Sequence, residues 1–375
     1  MVGRSMLYYF GLFVFVLILT SILKRISYNN KTVTLKYSNI KVGISLDFIW
    51  IILLSLPFIF LATYRDLSIG TDTNGVYRYI YYEGYAVDDW KSTIYEGLYL
   101  SFVKFLYWIK QDYRFLLFAT SCIVCIGFIA FFLEKRNKLN PTITITCFFV
   151  WIYCFSLNGQ RQALAVTLCL LVLICLEKRK PILAGIFIII AAFVHISSLV
   201  MFIYYIPYLF GNNVKIRDKI PYLFFLGPVG LPIIISIVKH LPFFSRLAGY
   251  VANFSLNGVS TKFLLFPLLM APLVVIYWNK LVELDNFNYM HLCGYIFIFS
   301  AVLLSGYATY AFRMMYYFVP SEIIILGQLD KCCKNKKNRI MVNTYILLGL
   351  IVSFFVVYVF HDTDSIYPYI LEKWN

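Results

Sequence analysis

The sequence predicts an all-α polytopic membrane protein, and three observations carry that reading. Of 375 residues, 61% are hydrophobic and only 14% charged, and mean hydropathy is +0.78; a soluble domain does not need that much apolar surface. Apolar runs of about 20 residues recur along the chain, each able to cross a hydrocarbon core of ~30 Å as a helix. A transmembrane barrel would show short alternating segments instead. Finally, the net charge of +15 comes largely from Lys and Arg in short loops. In a soluble chain that balance would suggest nucleic acid. Here it sets topology and suits anionic lipid or a lipid-linked phosphate, so nucleic acid is excluded as a partner.

The elements follow in order. Leu7 to Leu23 is a first span. It looks like a signal peptide, but no A-x-A site follows, so it reads as an uncleaved anchor. Residues 24–46 carry Lys24, Arg25, Lys31, Lys36 and Lys41 and are expected in the cytoplasm. Asp47 to Thr63 then runs outward. Residues 64–113 form a large outer, periplasmic loop. Within it, Gly97, Ser101, Lys104 and Gln111 recur on one face, opposite Leu98, Phe102, Phe105 and Ile109. That pattern fits a helix lying in the interface.

Phe115 to Leu133 returns to the basic loop 134–140. Pro141 to Leu157 runs outward to Asn158-Gly159-Gln160-Arg161-Gln162, and Ala163 to Leu176 returns to 177–180. Ile182 to Phe210 is too long for one span and is followed by Lys215, Arg217 and Lys219. Two short helices turning near His195 keep those cations inside, and broken helices are tolerated where they line a cavity. Pro221 to Val238 exits to an outer loop, 239–262. Phe263 to Trp278, Tyr289 to Ser305, Phe312 to Leu329 and Ile340 to Phe360 complete the set, with the basic loop 331–339 inside and His361 to Asn375 outside. This gives about twelve spans, within a range of 10–13, in a single membrane domain covering 1–375.

The nine cysteines offer no disulfide framework. Cys122 and Cys125 have CxxC spacing but sit mid-span, where they read as packing. His240, His291 and His361 are isolated in sequence. No soluble nucleotide, zinc or serine-hydrolase signature is found, so no metal or cofactor is expected.

The most informative stretch is Tyr64 to Arg78, YRDLSIGTDTNGVYR. It is charged and turn-rich beside apolar runs. Topology places Arg65, Asp66, Asp72 and Arg78 outside, with Arg161, His195 and Arg313 at outer ends of apolar runs. A single arginine there snorkels to headgroups. Several, with aspartates and a histidine, read as an anionic ligand site, because the guanidinium fork matches phosphate oxygens. Gly70 and Gly75 would let the loop around Asp72 turn tightly. Asp72 or a neutral His195 could take a proton from a hydroxyl. Tyr77, Tyr79, Tyr81, Tyr82 and Tyr85 serve either as an aromatic belt or as stacking surface for sugar rings.

Arg65-x4-Gly70-x-Asp72-x4-Tyr77, then Gln160-Arg161-Gln162-x-Leu164-Ala165, then His195-x-Ser197, then Arg313-x3-Tyr317-Phe318, in this order, resemble the EpsG-like proteins, which belong with Wzy-type O-antigen and capsule polymerases. The likeness runs from about Asp47 to Gln328. The Arg-x10-Gly loops described for some Wzy proteins are not found. The resemblance implies a bacterial inner-membrane glycosyltransferase with a GT-C-like helical fold. It would transfer a glycan from undecaprenyl pyrophosphate to a hydroxyl of another lipid-linked unit at the periplasmic face, without metal or nucleotide. Implied partners are the lipid-linked oligosaccharide and membrane lipids, and a chain-length regulator is compatible. On this reading Asp72, His195 and Arg161 are catalytic, and Arg65, Arg78, Tyr77, Gln160, Gln162, Arg313 and Tyr317 bind substrate. Two rivals stand beside it. A lipid-linked oligosaccharide flippase would need charges along a two-sided path, whereas here they cluster on one face. An O-antigen ligase or acyltransferase would share the outer site.

Overall fold

A computed structural model describes residues 2–25, 32–37, 40–83, 96–211, 213–223, 225–226, 255, 258–308 and 310–371. Tyr85, His240 and most of both the Pro221–Val238 span and the loop after it lie outside these residues. Among the described residues six helices are long and apolar enough to cross a membrane: Leu46–Thr63, Arg114–Glu134, Gln160–Glu177, Thr261–Leu284, Asn288–Gly306 and Lys336–Phe360. Shorter apolar helices cover Leu7–Ile22, Gly97–Ile109, Pro141–Ser156, Pro181–Ala192 and Ile196–Phe210. One departure from all-helix is a two-stranded antiparallel hairpin, β1 (Thr32–Tyr37) and β2 (Ile40–Ser45), with Thr32 opposite Ser45. The basic residues dominate this segment, yet Thr32-Val33-Thr34-Leu35 within it alternates with a strand's period of two.

The chain divides into two compact units. The first comprises Met1–Leu170, Ala192–Ile196 and Tyr358–Asn375. In it α1 (Val2–Arg25) packs on α2 (Pro141–Ser156), and the Thr20 and Thr142 hydroxyls bond at 3.1 Å. Helix α3 (Leu46–Thr63) packs along α4 (Tyr113–Glu134). It buries Trp50, Leu54 and Phe58 and exposes Leu53, Leu56 and Phe60, the division expected of a helix with lipid on one side. Arg136 pairs with Asp47 at 2.8 Å, joining the end of α4 to the start of α3, as two ends at one membrane face require. Helix α5 (Gly97–Ile109) buries Tyr99, Leu100, Val103 and Leu106 and exposes Leu98, Phe105, Trp108 and Ile109. The apolar face read from the sequence is thus largely its outer face; a third face, between it and the polar one, holds the helix to the protein.

The second unit comprises Leu171–Ala191 and Ser197–Val357. The long apolar run is broken as expected. Helix α6 (Pro181–Ala192) is followed by helical Ile196–Phe210. Tyr205 donates to the Pro181 carbonyl and Ser198 to that of Ile188 at 3.5 Å, so the second arm runs back along the first. The expected Phe312–Leu329 span is instead a 3-10 segment, Ala311–Tyr317, joined at Phe318 to α7 (Val319–Cys332). Helix α8 (Asn288–Leu303) and α7 are buried nearly all round. Several of their polar groups pair internally. Asn288 and Gln328 exchange amide bonds at 2.6 and 3.2 Å. His291, isolated in sequence, is not isolated in space: Nδ1 meets Ser321 Oγ at 2.8 Å and Nε2 meets Glu177 Oε1 at 3.1 Å, while Ser321 Oγ meets Tyr204 at 2.6 Å. Apolar segments far apart in sequence are tied by one chain of bonds, because a buried polar group left unpaired is expensive.

Candidate functional site

The Tyr64–Arg78 stretch folds around Arg65. The residue is 2% exposed, and its guanidinium donates to the Ala62 carbonyl, to the Leu157 carbonyl at 2.9 Å and to Thr73 Oγ1 at 3.4 Å. The sequence reading assigns Arg65 to substrate phosphate. The structure spends it on the backbone, where it fixes the loop against the end of α2. Gly70 has φ +85°, and a Cβ there would lie 2.5 Å from the Leu157 carbonyl oxygen, so this turn requires glycine. Gly75 has open space and sits in a helical turn, Thr73–Arg78; no tight turn depends on it.

Asn158 links three segments. Its Oδ1 accepts from the Asp72 amide at 2.8 Å and Thr71 Oγ1 at 3.1 Å, and its Nδ2 donates to Asp364 Oδ1 at 2.7 Å. The C-terminal segment straps the loop further. Asp66 N–H donates to the Ile370 carbonyl and Gly70 N–H to that of Ser365, and Tyr9 donates to the Ile366 carbonyl at 2.6 Å. Asp362, Asp364 and Ser365 take left-handed φ values of 42°, 63° and 49°. Non-glycine residues hold these only where surrounding contacts over-determine them.

The expected catalytic residues Arg161 and His195 do come together, through a residue the sequence reading passed over. Glu96, just ahead of α5, receives Arg161 Nη1 on Oε2 at 2.9 Å. Its Oε1 meets His195 Nδ1 at 3.1 Å and accepts the Ile196 amide at 2.9 Å. Leu98 N–H donates to the Phe193 carbonyl at 3.1 Å, so the start of α5 is pinned to the break after α6. The three side chains are 16–22% exposed: sheltered, yet reachable. The Arg161 guanidinium lies 5.9 Å from the Tyr99 ring centre.

Burial alone would raise the Glu96 carboxyl. The hydrogen bond from His195, the charges of Arg161 and His195 and the Ile196 amide outweigh it and hold the group below its ordinary 4.5. Since the folded value is the lower one, the stabilisation is fully present above the unfolded value and fades as pH falls through the folded one. Thermal melts from pH 7 down to about 3 should show an acid-limb loss in wild type that is reduced in Glu96→Gln.

The remaining candidates are placed as follows. Gln160 is 2% exposed, and neither atom of its amide has a hydrogen-bond partner among the described residues. Gln162 and Tyr77 are buried. Arg78 is exposed, bonded to Asn74 Oδ1 at 3.3 Å. The Asp72 carboxylate makes no hydrogen bond among the described residues, although its backbone is held. In the second unit, Arg313 lies 5.2 Å from the Tyr310 ring centre, and the buried Tyr317 hydroxyl meets Ser197 Oγ at 2.9 Å. The His195-x-Ser197 motif therefore serves two sets of partners. Among the described residues no group of three His, Cys, Asp or Glu side chains could hold a metal ion.

Six span-length apolar helices among the described residues, a sheltered Glu–Arg–His cluster and a strapped polar loop define a polytopic membrane protein with a built polar site. The sequence profile of the EpsG family matches residues 48–371, nearly the whole chain, and the chain belongs to that family. No curated protein and no solved structure gives a match.

Proposed function

We propose that this protein is a polysaccharide repeat-unit polymerase, a glycosyltransferase of the bacterial inner membrane. On this reading it has about twelve spans in a GT-C-like arrangement, with its site facing the periplasm. The substrate is an oligosaccharide on undecaprenyl pyrophosphate. The observation that supports it, beyond family membership, is the Glu96–Arg161–His195 cluster. With Nδ1–H of a neutral His195 directed at Glu96, the lone pair sits on Nε2. That nitrogen takes the proton of the acceptor sugar's hydroxyl. The hydroxyl oxygen forms a bond to the anomeric carbon of the growing chain, the bond from that carbon to the pyrophosphate oxygen breaks, and undecaprenyl pyrophosphate leaves with the electron pair. Arg161 steadies the developing charge. The buried Gln160 amide, in want of a partner, suits a sugar hydroxyl or phosphate oxygen. Arg78 is an exposed second cation of the same unit. Arg313 and Tyr317 keep their assignment to substrate on the sequence pattern alone. Asp72 remains a second candidate base.

Purified protein in liposomes, given lipid-linked repeat units alone, is expected to yield a ladder of longer lipid-linked glycans and to release undecaprenyl pyrophosphate. Transport of the units across the liposome membrane without any ladder would instead support a flippase, and transfer to a different acceptor a ligase.

A further inference from the structure

A polar cavity lies within the second unit, away from the outer loop in sequence. It has a volume of about 510 Å³ and is lined by Arg217, Asp218, Tyr222, Trp278, Asn279 and Tyr289. The basic loops assign this end of the helices to the cytoplasmic side. Three features define its chemistry. The Arg217 guanidinium sits 5.0 Å from the Tyr289 ring centre, and the Tyr289 hydroxyl donates to the Arg217 carbonyl at 2.5 Å, so the residue is held at backbone and side chain. Arg217 and Asp218 line one cavity, yet among the described residues no ion pair joins them and no hydrogen bond engages either charged group. Neighbours of the lining residues are exposed and apolar. Leu223, next to Tyr222, is 56% and Phe225 52% exposed, and Val275 and Ile276, one helical turn before Trp278 and Asn279, are each 71% exposed.

We infer that this cavity binds the headgroup of a zwitterionic phospholipid, a phosphoethanolamine, with the phosphate on Arg217 and the ammonium on Asp218. A guanidinium and a carboxylate that share a cavity without pairing match a ligand carrying both charges a few bonds apart. The fork of Arg217 suits phosphate oxygens. Trp278 and Tyr222 have the amphipathic rings found at headgroup depth. The exposed apolar flanks fit acyl chains and would be idle against a soluble phosphate. An anionic lipid without an ammonium would meet Asp218 as a repulsion, which gives the site its selectivity.

The test uses the purified full-length protein in detergent, titrated with palmitoyl-oleoyl phosphatidylethanolamine or phosphatidylglycerol, with bound lipid counted by native mass spectrometry. Wild type is expected to hold one phosphatidylethanolamine at least about tenfold more tightly than phosphatidylglycerol. Asp218→Asn, a change at an exposed side chain, should bring the two lipids to near parity. Arg217→Ala should weaken both by about tenfold. Equal binding of the two lipids by wild type, or unaltered phosphatidylethanolamine binding in Arg217→Ala, would overturn the assignment. Displacement of the lipid by millimolar inorganic phosphate would also overturn it, by showing a site for a soluble anion.

Discussion

His195→Gln is expected to lower polymerisation of purified lipid-linked units by ~10²–10⁴-fold, the usual contribution of a general base. Glutamine keeps a hydrogen-bonding group near Glu96 but cannot titrate. Protein level and substrate binding should hold, because the side chain is only partly buried and the Ile196 amide still bonds Glu96. The partner experiment concerns Glu96, a positioning residue that acts through His195. Glu96→Gln removes the charge that fixes Nδ1–H and favours the opposite tautomer. Where a carboxylate plays this part in a hydrolase, its amide costs ~10⁴-fold; the half-sheltered setting here should give a smaller loss. Glu96→Asp keeps the charge and should recover part of the rate. A structural role would leave the pH profile of turnover unmoved, whereas orientation of the base should shift its acid limb in Glu96→Gln. Near-normal turnover in His195→Gln would remove histidine from the chemistry and leave Asp72 as the candidate.

Much of this fold was legible because apolar runs carry their own length signal. Six of the expected spans sit where hydropathy puts them among the described residues, whereas the expected Phe312–Leu329 span is interrupted at Phe318; the break near His195 was legible as a run too long for one helix. The strands at 32–45 carry only a short alternation inside a segment dominated by basic residues, a weak signal for a strand. Side-chain fate was harder to read. Arg65 looked like a phosphate ligand because arginine beside a membrane calls for a partner; its partners are carbonyls of its own fold, Leu157 among them, and nothing local announces that. Glu96 was visible as one acid at the mouth of an apolar helix on an arginine-rich face, and that need for a countercharge is the signal that could have found it. Asp364 and the Glu177–His291–Ser321–Tyr204 chain join segments up to 206 residues apart, where a single sequence carries no pairing information.

The arginines separate scaffold from chemistry. Arg161→Ala is expected to abolish polymer while leaving protein level and single-unit product intact, and Arg161→Lys should not rescue it. An ammonium can still meet Glu96 as a point charge, but it lacks the planar fork that could keep Nη1 on Oε2 while the rest of the group faces a pyrophosphate. Removing one such donor typically costs ~10²–10³-fold in turnover, so the loss should fall mainly on kcat. Arg65→Ala should fail differently. It strips the Ala62 and Leu157 carbonyls of their donor inside a closed interior, at a cost of about 1–3 kcal/mol for each group left unpaired. Its signature is a lower melting temperature and lower protein level, with activity falling in proportion to folded protein. Chain-length ladders and melting curves of the two variants, run side by side, decide between the roles. A normal ladder in Arg161→Ala cells would refute the site. Full-level, stable but inactive Arg65→Ala protein would return that arginine to the substrate.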